Sequence, residues 1–268
     1  LGDLGRGDVA PSLEHQQDGH QSVGTHLDSF SSKPVTTWPV QCRMMSAMTD
    51  HTNTTTATPS PSDLAPGDPR LAMAGAVRTA RTAMGAVAPD QWDLPTPCSE
   101  MTVRDLLEHL VMVNRRIALA GRSVTVAECP RAAADPADAA WLDAFTAAAH
   151  DIQASWPDEG LTDERALPWG TFPGDAVPAV YTNGLAVRTW EVARGTGQQL
   201  EWDQGVLAVS WAAIREQLPD AARGPMWEQA RHYLPEGTVW EDPFADAVPA
   251  PEDAPLIDRL VAWNGRRP

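Results

Sequence analysis

Lysine is almost missing from this chain: Lys33 is the only one, and the rest of the fixed positive charge is arginine. With the abundant alanine, that scarcity reads as a genome-wide coding bias, so the arginine preference carries no mechanism by itself. Positive charge is also short overall, with 20 Lys and Arg against 36 Asp and Glu and a net charge of −16. The acidic side chains are scattered from Asp68 to Asp258, and such a surface repels phosphate backbones and anionic headgroups. Nucleic-acid and membrane partners are therefore not expected. Cysteine is scarce too: Cys42, Cys98 and Cys129 are an odd number without a CxxC spacing, which argues against a disulfide framework and a thiolate metal site. No apolar run approaches the roughly 18 residues of a membrane span, and no basic segment followed by an apolar one opens the chain. These absences lead us to expect a soluble, cytoplasmic protein in a reducing compartment. Gly-rich phosphate loops, GxSxG and HExxH are absent as well, which leaves nucleotide-dependent, serine-hydrolase and zincin chemistry without support.

What is present begins late. Residues 1–67 are rich in Ser, Thr, Gly, Pro, His and Gln and show no sustained apolar period, which reads as a disordered N-terminal extension. The natural start is expected among Met44, Met45 and Met48, the residues before them being an over-extended reading frame. Residues 68–268 are full of Ala, Val, Leu and Trp and supply ample chain for one domain.

The period within that domain is helical. Asp68-Pro69 reads as an N-cap with Pro at the first helical position, opening a helix to about Val87 with Leu71, Ala74, Val77, Met84 and Val87 as its apolar face. Thr102-Val-Arg-Asp105 has capping-box spacing and opens a second helix to about Ala120. Leu106, Leu110, Val113 and Ile117 form its stripe, and His109 falls about 70° from the stripe's centre, on its rim. A third helix, capped at Asp135-Pro136, carries the seam Trp141, Phe145, Ala148, Ile152 and Trp156. The segment Leu161 to Gly174 reads as an extended or looped connection with aromatic anchors. A fourth helix is expected from Asp175 to Gly195, its Pro178 tolerated in the first turn. There Tyr181, Gly184, Arg188, Glu191 and Gly195 project within about 40° of Val177, so an arginine and a glutamate share the core-facing side. Helices over about Gly205 to Leu218 and Pro255 to Trp263 follow, with Arg223 to Pro251 between them read as irregular.

Several of these segments together resemble the DinB-like superfamily. More narrowly, they look like the actinobacterial-type branch related to the mycothiol-dependent maleylpyruvate isomerase N-terminal domain and described as metal-binding proteins. They are Trp92-Asp-Leu-Pro-Thr-Pro-Cys-Ser-Glu-Met-Thr-Val-Arg-Asp-Leu-Leu-Glu-His-Leu, Pro168-Trp-Gly-Thr-Phe-Pro-Gly174, Arg188-Thr-Trp-Glu-Val-Ala-Arg-Gly-Thr-Gly197 and Asp258-Arg-Leu-Val-Ala-Trp-Asn-Gly-Arg. The resemblance implies an all-α fold, a DinB-like four-helix bundle with additional C-terminal helices. It also implies a divalent, zinc-like ion near one end of the core, and mycothiol as a possible thiol cofactor. Its metal ligands are a His on the second helix and, on the fourth, an acidic or His residue four positions before another His. Three protein ligands leave a coordination position open for water or a thiol. His109 matches the first ligand position. Gly184 and Arg188 stand at the other two, where glycine offers no ligand atom and a guanidinium stays protonated.

Two readings follow. One is a metal- and thiol-dependent isomerase or transferase acting on small electrophiles, with His109 as the surviving ligand and Glu108 or Glu191 as substitutes. The other is a non-catalytic, metal-free bundle that binds a small anion through Arg188, Glu191 and the Gly184 position, or serves a protein partner. For Arg188 a purely structural pair with Glu191 at i+3 remains open. A small-molecule ligand and a monomer or homodimer are expected in either case. Cys98, before a helix N-terminus, reads as a loop-packing residue, His150 and His232 as solvated, and Trp169, Trp190, Trp211 and Trp263 as core or interhelix filler.

Overall fold

The computed structural model describes residues 64, 65, 67–123, 140–167, 170–232 and 242–268. The expected N-terminal extension, the Asp135-Pro136 cap and Trp169 lie outside the described residues.

The expected helices form with small shifts at their ends. Helix α1 spans Pro69–Gly85, and Asp68 caps it, its side chain accepting the Arg70 N–H at 2.8 Å. The Arg70 guanidinium ties that start to the rest of the fold: it pairs with Asp68 at 2.6 Å and Asp158 at 2.8 Å and donates to the Trp156 carbonyl at 2.9 Å. Burial disfavours the Asp68 carboxylate, but its hydrogen bonds and charge pairing with Arg70 prevail and hold its pKa below the usual value. Helix α2 spans Val103–Gly121 and opens with the reciprocal box, Thr102 bonding Asp105 and Asp105 bonding back. Helix α3 spans Trp141–Gln153. Trp156, expected on the same helix, lies just beyond its end yet is buried, donating through Nε1 to the Ile117 carbonyl.

The connection from Leu161 to Gly174, expected to be extended or looped, is extended over two short strands. A short helix α4, Asp158–Thr162, leads into an antiparallel pair, β1 at Glu164–Leu167 and β2 at Gly170–Pro173, in register Arg165 to Phe172. Strand β1 buries alternate residues, but one of them is the charged Arg165, so no apolar alternation marks it in the sequence. Helix α5, Ala176–Thr196, follows, then α6 at Gln204–Gln217 and α8 at Leu256–Trp263, with α7 at Arg223–Arg231 between them. Helix α7 corrects the expectation of an irregular stretch there. It lacks an apolar period, burying only Arg223 and Trp227, and is held by side chain to backbone bonds. Trp227 Nε1 donates to the Phe244 carbonyl at 2.9 Å, and the Arg223 guanidinium donates to the Pro219 and Ala245 carbonyls. Burial pushes Arg223 down to about 10 against the pull of Asp246 and Asp220, so it remains charged at neutral pH.

Helices α1, α2, α3 and α5 pack into the expected bundle, and α6 lies against α1 and α5 with α8 on α6. Two apolar clusters result. The first joins α1, α2 and α3 to one side of α5 through Leu106, Leu110, Ile117, Phe145 and Leu185; the second joins the other side of α5 to α6, α7 and α8 through Val187, Trp190, Leu207 and Leu260. The fold among the described residues is all-α apart from the two short strands, and no helix there is long and apolar enough to cross a membrane.

Candidate functional site

Because α5 is covered on both sides, the polar residues along its middle have no solvent to face. Thr182, Asn183, Arg188, Thr189 and Glu191 are all buried. An interior charge is tolerated only when paired and hydrogen-bonded. Glu191 is fully buried, and both its oxygens are held: Oε2 accepts from Nη1 of Arg188 at 2.8 Å, and Oε1 from Nε of Arg266 at 2.6 Å. The i, i+3 pair read from the sequence is therefore present, and the second guanidinium was not foreseen.

Arg266 reaches inward because the chain reverses at Gly265, whose φ of +78° is a left-handed conformation and whose missing side chain makes room for the Ala245 backbone. One residue earlier, Asn264 and Asn183 exchange amide hydrogen bonds of 2.9 Å in both directions, locking the end of α8 to α5.

Arg188 also lies close enough to Cys98 for the two side chains to interact. Burial disfavours the Arg188 cation, but its charge pairing and hydrogen bond with Glu191 prevail and the guanidinium pKa is raised above its ordinary value. Cys98 is placed there by the loop between α1 and α2. Its N–H donates to Thr96 Oγ1 at 3.2 Å, and that hydroxyl donates to the Met101 carbonyl at 2.8 Å. The loop is anchored at its start by Trp92, which packs edge-on to Trp141 at 5.1 Å while Arg104 stacks over both rings. Gln91 ties it to α5 by donating to the Thr196 carbonyl at 3.1 Å. Cys98 was read as loop packing; its approach to Arg188 left no local signal in the sequence. It also lines an open groove of about 250 Å³ with Asp93, Thr96, Glu100, Thr102 and Asp105.

The other site residues stand as follows. Gly184, one turn before Arg188, is half-buried, and no atom lies within 4 Å of the place its Cβ would occupy. His109 is half-buried on α2, as its rim position suggested, and α2 packs against α5. His150 and His232 are exposed, as expected.

The donor set does not fit the divalent ion that the resemblance implies. Gly184 brings no ligand atom, Arg188 brings a permanent positive charge, and both oxygens of Glu191 are held by guanidinium groups. Among the described residues no three His, Cys, Asp or Glu side chains converge as a metal site would require.

The described residues thus form a DinB-like helical bundle with a buried arginine and glutamate cluster on its most enclosed helix. The model of the mycothiol maleylpyruvate isomerase N-terminal domain matches residues 73–193. An uncharacterized protein of Mycobacterium tuberculosis strain H37Rv, and its counterpart in strain CDC 1551, are each 32% identical over 199 residues, covering 74% of this chain and 98% of the relative. No solved structure matches. The chain belongs to the mycothiol maleylpyruvate isomerase N-terminal domain family.

Proposed function

We propose that this protein is a metal-free member of its family that binds a small anionic ligand, a carboxylate or thiolate, through Arg188. The observation that carries the reading is the charge balance around Glu191. A buried guanidinium and a half-buried one share one carboxylate, so the cluster holds one positive charge more than it neutralises. That charge stands at the position where the family resemblance places a metal ligand, and the unfilled space at Gly184 lies one turn away on the same face. The groove beside Cys98 carries Asp93, Glu100 and Asp105, so an anion is better received from the Gly184 side. Mycothiol and dicarboxylates such as maleate are the first ligands to try, because the family's name supplies both chemistries.

The test is a calorimetric titration of purified protein with mycothiol and with maleate, accompanied by elemental analysis. The expected result is binding without stoichiometric metal, weakened at least about tenfold by Arg188→Met, the size of losing a hydrogen bond to a charged group. Stoichiometric zinc in the purified protein would sink the reading and favour the metal- and thiol-dependent isomerase or transferase instead.

A further inference from the structure

Arg266 is outside the pair that the sequence pointed to, yet it takes one of the two oxygens of Glu191. Its Nε lies 2.6 Å from Oε1, against 2.8 Å for the Arg188 contact with Oε2. Its position is fixed by more than this bond. The Arg266 N–H donates to the Val261 carbonyl at 2.9 Å, and Nη1 donates to the Asn264 carbonyl at 3.1 Å, so the end of α8 holds the guanidinium in place. Glu191 has no solvent to turn to, and its negative charge is divided between two cations.

We propose that Arg266 is a positioning residue that sets the charge of the Arg188 site: by holding half of Glu191, it leaves Arg188 only partly neutralised and able to attract an anion. This rests on the anion-binding reading above. Without Arg266, the whole carboxylate belongs to Arg188, the pair is neutral, and the attraction is lost although Arg188 is intact. A C-terminal residue thereby tunes a group on α5 that it does not touch.

Cys98 supplies the probe, because its side chain is close enough to Arg188 to interact with the guanidinium. Its alkylation by anionic iodoacetate relative to neutral iodoacetamide reports the local charge, and mapping the Cys98 peptide by mass keeps Cys42 and Cys129 out of the reading. Arg266→Met should lower the ratio of the two rates by about fourfold, the Coulomb effect of one charge at about 10 Å in a medium between protein and water. Arg266→Lys should keep the ratio. The double variant Glu191→Gln with Arg266→Met should restore it, because Arg188 then has no carboxylate to neutralise it. Arg266→Gln serves where the methionine variant does not fold. A merely structural Arg266 would change both rates alike, and the double variant would restore nothing; either result overturns the proposal. The maleate titration separates the two claims. Wild-type protein that binds neither maleate nor mycothiol, yet shows this alkylation pattern, defeats the anion-binding reading and leaves the charge assignment standing. An unchanged ratio in Arg266→Met overturns the assignment whatever the titration gives.

Discussion

Helices α2 and α5 pack against one another but are buried by different means. Helix α2 presents one apolar stripe, Val103, Leu106, Leu107, Leu110, Val111 and Ile117, with Asn114 as its only buried polar residue. Helix α5 is enclosed on both sides and takes two charges, an amide and three hydroxyls into the interior. The first is held by area removed from water, which is non-directional and tolerates small losses. The second depends on its charges and its amide meeting their partners, the buried Thr189 hydroxyl having no hydrogen-bond partner among the described residues, so deleting one charged member leaves others stranded at a cost beyond the lost contact. The α5 side of the molecule is thus the more specific in its demands and the more fragile.

Breaking that contrast most forcefully means removing the shared anion. Glu191→Ala leaves two largely buried guanidinium groups facing each other, and should cost about 3–5 kcal/mol of stability, the range for an uncompensated buried charge. Urea denaturation followed by circular dichroism measures it. A loss under about 1 kcal/mol would mean that water or another anion compensates the pair, and that α5 is no more demanding than α2.

The apolar side has a strict point of its own where backbones meet. At Gly121, the end of α2, an added Cβ would stand 2.5 Å from the Ser155 carbonyl oxygen and 2.8 Å from Trp156 Nε1. Neither neighbour yields easily, because Trp156 is buried and bonded to Ile117. Gly121→Ala should therefore destabilise by about 1–3 kcal/mol, the usual cost of overpacking, despite alanine's better helix propensity. A thermal melt with an unchanged midpoint would show that the junction between α2 and the end of α3 is loose.

The same distinction governs what could be read in advance. Apolar periodicity reports burial of one helix face, and it located α1, α2, α5, α6 and α8 to within a few residues and the body of α3, whose described start lies at Trp141. It also put Arg188 and Glu191 on one face, because an i, i+3 relation is local. It could not show the Arg266 contact, which joins residues 75 apart in the chain, or the Cys98 contact, which depends on how the loop before α2 folds onto α5. The segment of the two strands read only as extended or looped, because one of the two buried positions of β1 is the charged Arg165, and α7 was missed because it is held by specific hydrogen bonds and not by an apolar stripe.

The smallest effect sharpens the comparison where α5 departs from its own rule. The buried polar residues of that helix are packed in, whereas Gly184 is half-buried and an added Cβ there would meet open space among the described residues. Glycine inside a helix costs roughly 0.5–1 kcal/mol relative to alanine through its greater freedom in the unfolded chain. Gly184→Ala should therefore stabilise the protein by about that amount, read as a rise in melting temperature. If the gap receives the ligand, the same methyl group should weaken maleate or mycothiol binding while the fold gains stability. A variant that gains stability and binds as tightly as the wild type would show that the space beside Arg188 is not where the anion sits.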